Sequence, residues 1–172
     1  MMSIPELYEY SSHVRRRFAN KLTEEPWEEI TKNREASFYS MRNILIHMID
    51  CEDWIVNSFV LNTPQEYKEE NPDDFGNMKQ VLDYLDRVES KTREYLKAAE
   101  KNKVDFNRRA NFALSSGESF DLSVEECLFQ SFTEQLYHMG ELIALFWQDD
   151  IKPPPMMWFR NNPRQKTPRN TP

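Results

Sequence analysis

Glycine is scarce in this sequence, with three residues in 172. Alternating runs of Val, Ile and Thr are scarce too, and the two shortages together weigh against a β-rich fold. Only two cysteines occur, Cys51 and Cys127. They make neither a C-x-x-C zinc signature nor a disulfide framework. No window approaches the roughly 20 consecutive apolar residues of a membrane span, so no membrane partner is expected. The opening MMSIPELYEY has no cationic start leading into an apolar core, which predicts a cytoplasmic protein without a secretory signal. The net charge of −7 argues against nucleic acid as a partner, because neutralising phosphates needs clustered Lys and Arg.

What is present is helical periodicity. At this length one domain with a real hydrophobic core is expected, and the pattern predicts an all-α four-helix bundle over residues 1–152, followed by a Pro-rich basic tail over 153–172. The first helix runs from Ile4 to Lys21, with Leu7, Tyr10, Val14 and Phe18 as its core stripe and Pro5 in the first turn. His13 reads as a solvated histidine. Arg15, Arg16 and Arg17 read as a solvated face or as partners for acidic neighbours. A linker with Thr23, Pro26 and Trp27 follows, and the indole of Trp27 is expected to cap the bundle end.

The second helix spans about Phe38 to Leu61, with Ser37 as its expected N-cap. Met41, Leu45, Met48, Cys51, Ile55 and Phe59 form one apolar stripe. His47 shares a side with Ile44, Cys51 and Trp54, and reads either as a satisfied core histidine or as a metal ligand. Asp50 is a candidate for orienting the His47 ring, or else a solvated acid beside Glu52 and Asp53.

A polar connection from Asn62 to Asn77 is long for a helical hairpin and would let the second and third helices run parallel. The third helix, Asn77 to Lys101, turns Met78, Val81, Leu85, Val88, Tyr95 and Ala99 inward. Its outer face carries Asp83–Arg87 and Glu89–Arg93 pairs at i, i+4. Val104 to Leu122 breaks the helical pattern around Ser-Ser-Gly and predicts a short hairpin or ordered loop. In the tail, Met156 to Phe159 are candidates to dock on the bundle, ahead of a flexible end.

Ser123 and Glu126 form an S-x-x-E capping box that opens the fourth helix, Glu125 to Asp149. Leu128, Phe132, Leu136, Met139, Ile143 and Phe146 fall at helical spacing. Phe129, Leu142 and Leu145 on other faces suggest burial on most sides. Yet the run contains Glu134, His138 and Glu141. Residues four apart stack on a helix, so Glu134 and His138 present a carboxylate and an imidazole to one point. A buried carboxylate is costly unless paired, protonated or metal-bound. A divalent metal with one further ligand from an earlier helix answers that cost, and a plain Glu134–His138 pair is the alternative.

The stretches SMRNILIHMIDCEDWIVN and FTEQLYHMGELIALFWQDDIKPP resemble the DinB/YfiT-like metal-binding helical bundles. That family's pattern is a histidine mid-way through helix two and H-x-x-x-H-R-G-[QE] in helix four. His47, His138, Gly140 and Glu141 fall on it. Glu134 stands where the first histidine of helix four is usual, and Met139 replaces the arginine. The resemblance implies a metal site of His47, Glu134 and His138, holding Zn, Ni, Fe(II) or Mn. The exchange of imidazole for carboxylate implies an altered metal preference, a weaker site, or a decayed one. Gly140 is expected to let another helix approach, and Glu141 to be a supporting acid, a cap or a surface residue.

The resemblance further implies an up-down-down-up topology, homodimers, and an enzyme whose metal activates a small-molecule thiol or a water, as in thiol-dependent transferases or hydrolases. Asp50 and Glu141 are then the candidates for orienting a ligand or relaying a proton. Cys51 and Cys127 read as small core residues. A non-catalytic, stress-associated binding or structural protein is the alternative from another class.

Overall fold

The computed structural model describes residues 3–101, 105–114 and 116–161. Four long helices carry the fold: α1 (Ile4–Leu22), α3 (Met41–Ile55), α4 (Met78–Glu100) and α5 (Val124–Gln148). A five-residue helix, α2 (Trp27–Thr31), lies between the first two, and a helical turn, α6 (Trp158–Asn161), follows the last. The hairpin before α5 pairs β1 (Arg109–Ala113) antiparallel with β2 (Ser119–Ser123), with Phe112 opposite Phe120.

Cross-helix contacts give the topology. Tyr8 meets Phe132 and Phe18 meets Phe146, so α1 and α5 run parallel. Glu52 bonds Gln135 while His47 faces Glu134 and His138, so α3 opposes α5. Asp50 bonds Tyr84 and Asn57 bonds Lys91, so α3 and α4 run parallel across the long connection. The bundle is up-down-down-up, as the resemblance implies. The crossover is two 3₁₀ turns, Pro64–Glu66 and Pro72–Asp74, joined by extended chain.

Local chemistry sets the helix ends. Ser3 with Glu6 caps α1, and Ser123 with Glu126 caps α5, both as reciprocal capping boxes. The second long helix starts later than the spacing suggests. Its N-cap is Ser40, whose hydroxyl accepts from the Asn43 amide, and not Ser37. Residues 34–39 form a tight loop closed by the Arg34 amide on the Tyr39 carbonyl, with Tyr39 at φ 68°. A left-handed residue cannot continue a right-handed helix, so the first turn forms only beyond it. At its other end α3 widens into a π-helical turn, Val56–Val60.

The core has two parts along the bundle. One centres on Phe18, Ile44, Met48, Leu85 and Phe146, and the other on Tyr8, Phe59, Phe112 and Phe132. Trp27 packs on the first, with the Arg42 guanidinium over its ring. The expectation that α5 is buried on most sides fails: Phe129, Leu136, Tyr137 and Trp147 are all exposed. The other long helices cover α5 on one side only, and its apolar outer residues remain in water. Met156 and Trp158 dock on Tyr10. The flexibility expected of the basic end concerns residues 162–172, outside the described residues.

Between the two core regions lies a buried ionic cluster. Arg15 is fully buried, with Nη1 2.7 Å from Glu52 Oε2 and Nη2 3.2 Å from Glu89 Oε1. Glu52 also accepts from the Tyr8 hydroxyl, the Thr92 hydroxyl at 2.6 Å and Gln135 Nε2 at 3.0 Å. The solvated reading of Arg15 and the outer-face reading of Glu89 are therefore corrected. The Glu89 carboxylate turns inward to Arg15, Arg16 and Arg93. Asp83 pairs with Lys79 and Arg87 with Glu70, in place of an Asp83–Arg87 pair.

Removing one partner of such a pair strands the other charge in the core. Arg15→Ala is expected to cost about 3–5 kcal/mol in chemical denaturation. Burial raises the Glu89 pKa, but its arginines outweigh burial and leave it below the usual 4.5. A depressed folded pKa contributes stability that is present above the unfolded value and lost as pH falls through the folded one. Denaturation midpoints should fall with acidification below about pH 4.5, less steeply in Glu89→Gln. Equal slopes in the two proteins would remove Glu89 from the effect.

Candidate metal centre

α3 and α5 present three donor groups to one point. His47 lies two turns into α3, and Glu134 and His138 lie one turn apart on α5. One ligand atom from each falls within 4.8 Å of the others. Glu134 Oε1 is 3.2 Å from His138 Nε2 and 3.8 Å from His47 Nε2. Donors bound at about 2.1 Å around a tetrahedral ion sit roughly 3.4 Å apart, so the set fits a divalent cation with little movement.

Neighbouring groups hold the two rings. Glu141 Oε2 lies 2.5 Å from His138 Nδ1 and also accepts from the Ser37 hydroxyl at 2.9 Å. A proton on Nδ1 shared with Glu141 leaves the Nε2 lone pair facing Glu134, the tautomer a metal ligand needs. The Phe38 ring stacks on His47 at 3.9 Å and meets His138 edge-on at 5.3 Å. The loop that delays the start of α3 thus places a phenyl ring over the site. Burial, then the neighbouring His138, push the His47 pKa below 6.5 and favour its neutral form.

Asp50 does not orient His47. Its carboxylate accepts from the Tyr67 hydroxyl at 2.7 Å, the Tyr84 hydroxyl at 3.1 Å and the Glu70 amide at 3.2 Å. It ties the crossover to α3 and α4, a role hidden in sequence because its partners lie 17 to 34 residues away. Gly140 has no packing role among the described residues. A Cβ there would meet nothing within 4 Å, because this side of α5 faces outward. His13 is exposed, as expected.

Beside the three donors opens a cavity of about 650 Å³, lined by His47 and Glu134 and walled by Trp54, Tyr67, Phe112 and Gln130. The hairpin supplies part of this wall. Phe112 stacks on Phe59 at 4.5 Å, and Arg108 donates to the carbonyls of Phe59 and Val60 in the π-helical turn. Sequence reasoning found the hairpin but not that it walls the site. The isolated Phe112 in a polar strand was the available signal.

A family model described as the DinB family matches residues 1–168. The chain belongs to the DinB family. No curated protein sequence matches it. Membership agrees with the four-helix topology and with the position of His47 and His138 on the family's two motifs. Among the described residues of this DinB protein, no helix is long and apolar enough to cross a membrane.

Cys51 also lines the cavity, but burial and then the Glu134 charge push its thiol up to about 12. At pH 8 the thiolate fraction is on the order of one in ten thousand. In chelator-treated protein, iodoacetamide should alkylate Cys51 far more slowly than it alkylates free cysteine. Mass spectrometry showing equal rates would make Cys51 a reactive thiol and a candidate nucleophile.

Proposed function

We propose that this chain is a divalent-metal-dependent enzyme acting on a small molecule, a transferase using a thiol cosubstrate or a hydrolase. His47, Glu134 and His138 are the metal ligands in this reading. The observation that carries it is the meeting of three donors from two helices, at ligand-like separations, with two of them, His47 and Glu134, lining an open cavity. Three protein ligands leave coordination positions for an outside molecule, as catalytic sites do. A divalent ion held there would lower the pKa of a bound water or thiol. The mixed imidazole and carboxylate donors suit Zn, Ni, Fe(II) or Mn.

The remaining work falls to the chain's own groups. Glu141 holds the His138 proton on Nδ1 and fixes the ring. Phe38 covers His47 and His138 and keeps water from their outer side. Tyr67, its hydroxyl donating to Asp50, lines the cavity. Cys51 is the cysteine on the wall, and its high pKa makes it a poor nucleophile at neutral pH. The attacking group therefore enters with the substrates, which favours an activated thiol or water over covalent catalysis by the protein.

Elemental analysis of untagged protein tests the reading. Near-stoichiometric metal is expected in the parent, with loss in His47→Ala and His138→Ala. Glu141→Gln should retain the site with affinity weakened by about tenfold, because an orienting partner is lost while all three ligands remain. A parent that holds no metal after supplementation with Zn, Ni, Mn or Fe(II) would sink the enzyme reading. Glu134 and His138 would then stand as a structural pair.

A further inference from the structure

The cavity beside His47 and Glu134, at about 650 Å³, falls in the range that encloses one small organic molecule. Its apolar wall is aromatic and rigid. Trp54 meets Phe59 and Phe112 edge-on at 5.2 and 5.1 Å, and Leu114 extends the wall along the hairpin. The ionisable wall outside the histidines is mostly of one sign. Asp50, Glu69 and Glu134 bring carboxylates, and neither Lys nor Arg lines the cavity among the described residues.

Nearby cations are committed elsewhere. Arg87 pairs with Glu70, Lys91 with Asp53, and Arg108 with two backbone carbonyls. An anionic ligand would lose its hydration and find no side-chain cation to replace it, and the double charge of an ion held by Glu134 would be outweighed by Glu134, Asp50 and Glu69 together. A cation would find carboxylates and aromatic faces together.

We propose that this cavity takes a cationic small molecule, a protonated or quaternary amine carried on an apolar or aromatic body. The proposal rests on the cavity being the substrate site described above, and it narrows that site's substrate class. Thiols with net negative charge are then poor cosubstrates, whereas amine-bearing ones fit.

Isothermal titration with three probes of similar size tests this: benzyltrimethylammonium, benzyl alcohol and benzenesulfonate. The quaternary cation cannot ligate a metal, so its binding reports the walls alone. It is expected to bind about tenfold more tightly than the sulfonate, in protein as purified and after chelation. Two variants outside the metal-ligand set place the binding. Glu69→Gln should reduce the preference about two- to threefold, by removing one exposed wall charge. Leu114→Arg, at a partly exposed hairpin position, should shift it towards the sulfonate.

Sulfonate binding as tight as the cation, no binding of the cation, or a preference untouched by both variants would overturn the proposal. Metal content measured on the same samples separates the two readings. Protein that takes up no metal even when supplemented, yet prefers the cation, defeats the metal centre alone. Metal-loaded protein that prefers the sulfonate defeats the charge selection alone.

Discussion

The carboxylate of Glu52 is the point on which the bundle depends. Buried and ionised it would be intolerable alone, yet it receives Arg15 and Tyr8 from α1, Thr92 from α4 and Gln135 from α5. An apolar core permits helices to slide by a turn at modest cost, whereas a buried charge that needs four donors tolerates one register. That register is functional. Gln135 adjoins Glu134, and Glu52 lies five residues after His47 on the opposing helix. The Glu52–Gln135 bond therefore brings His47 level with Glu134 and His138. The ionic cluster and the candidate metal centre are consecutive layers of one bundle, and the first aligns the second.

What could be read from sequence divides along the same line. Apolar periodicity located the four long helices, because burial of a stripe is a local property. The S-x-x-E box located the start of α5 for the same reason. His47, Glu134 and His138 were legible because two of them sit one turn apart and the third falls on a family motif. Arg15 was not legible. It lies in a run of three arginines, and nothing local separates the buried one from its half-buried neighbours, which pair with Asp86, Glu89 and Asn161. Its partners are 37 and 74 residues away on other helices. Glu89 failed likewise, since an i, i+4 partner in Arg93 mimics a surface pair. Ser37 and Ser40 are equally good caps by composition, and only the left-handed Tyr39 decides between them. Gly140 invited a packing role that needs a facing helix, and spacing says nothing about which side of α5 is covered.

The walls of the site come from the parts of the chain with the weakest periodicity. The crossover supplies Tyr67 and Glu69, the hairpin supplies Phe112 and Leu114, and the loop before α3 supplies Phe38. Each is pinned to the rigid helices by one polar contact set: Asp50 for the crossover, Arg108 for the hairpin, and the Arg34–Tyr39 closure for the loop. Helices thus position the donors while loops shape the space in front of them. The division leaves the three donors constrained by packing and the cavity open to change by substitution on segments that carry little of the fold.

The carboxylate at Glu134 belongs with this charge pattern. A divalent ion among three imidazoles keeps its full double charge, whereas one glutamate ligand reduces the local charge by one. A less positive centre draws anions more weakly and acidifies bound water less. The walls continue the trend, with Asp50 and Glu69 and no opposing cation among the lining residues. Seen as an isolated substitution, a glutamate in place of a histidine reads as decay of a metal site. Beside an anionic, aromatic cavity the proposed glutamate ligand fits the same pattern, since donor and walls would both lower the potential at the same place.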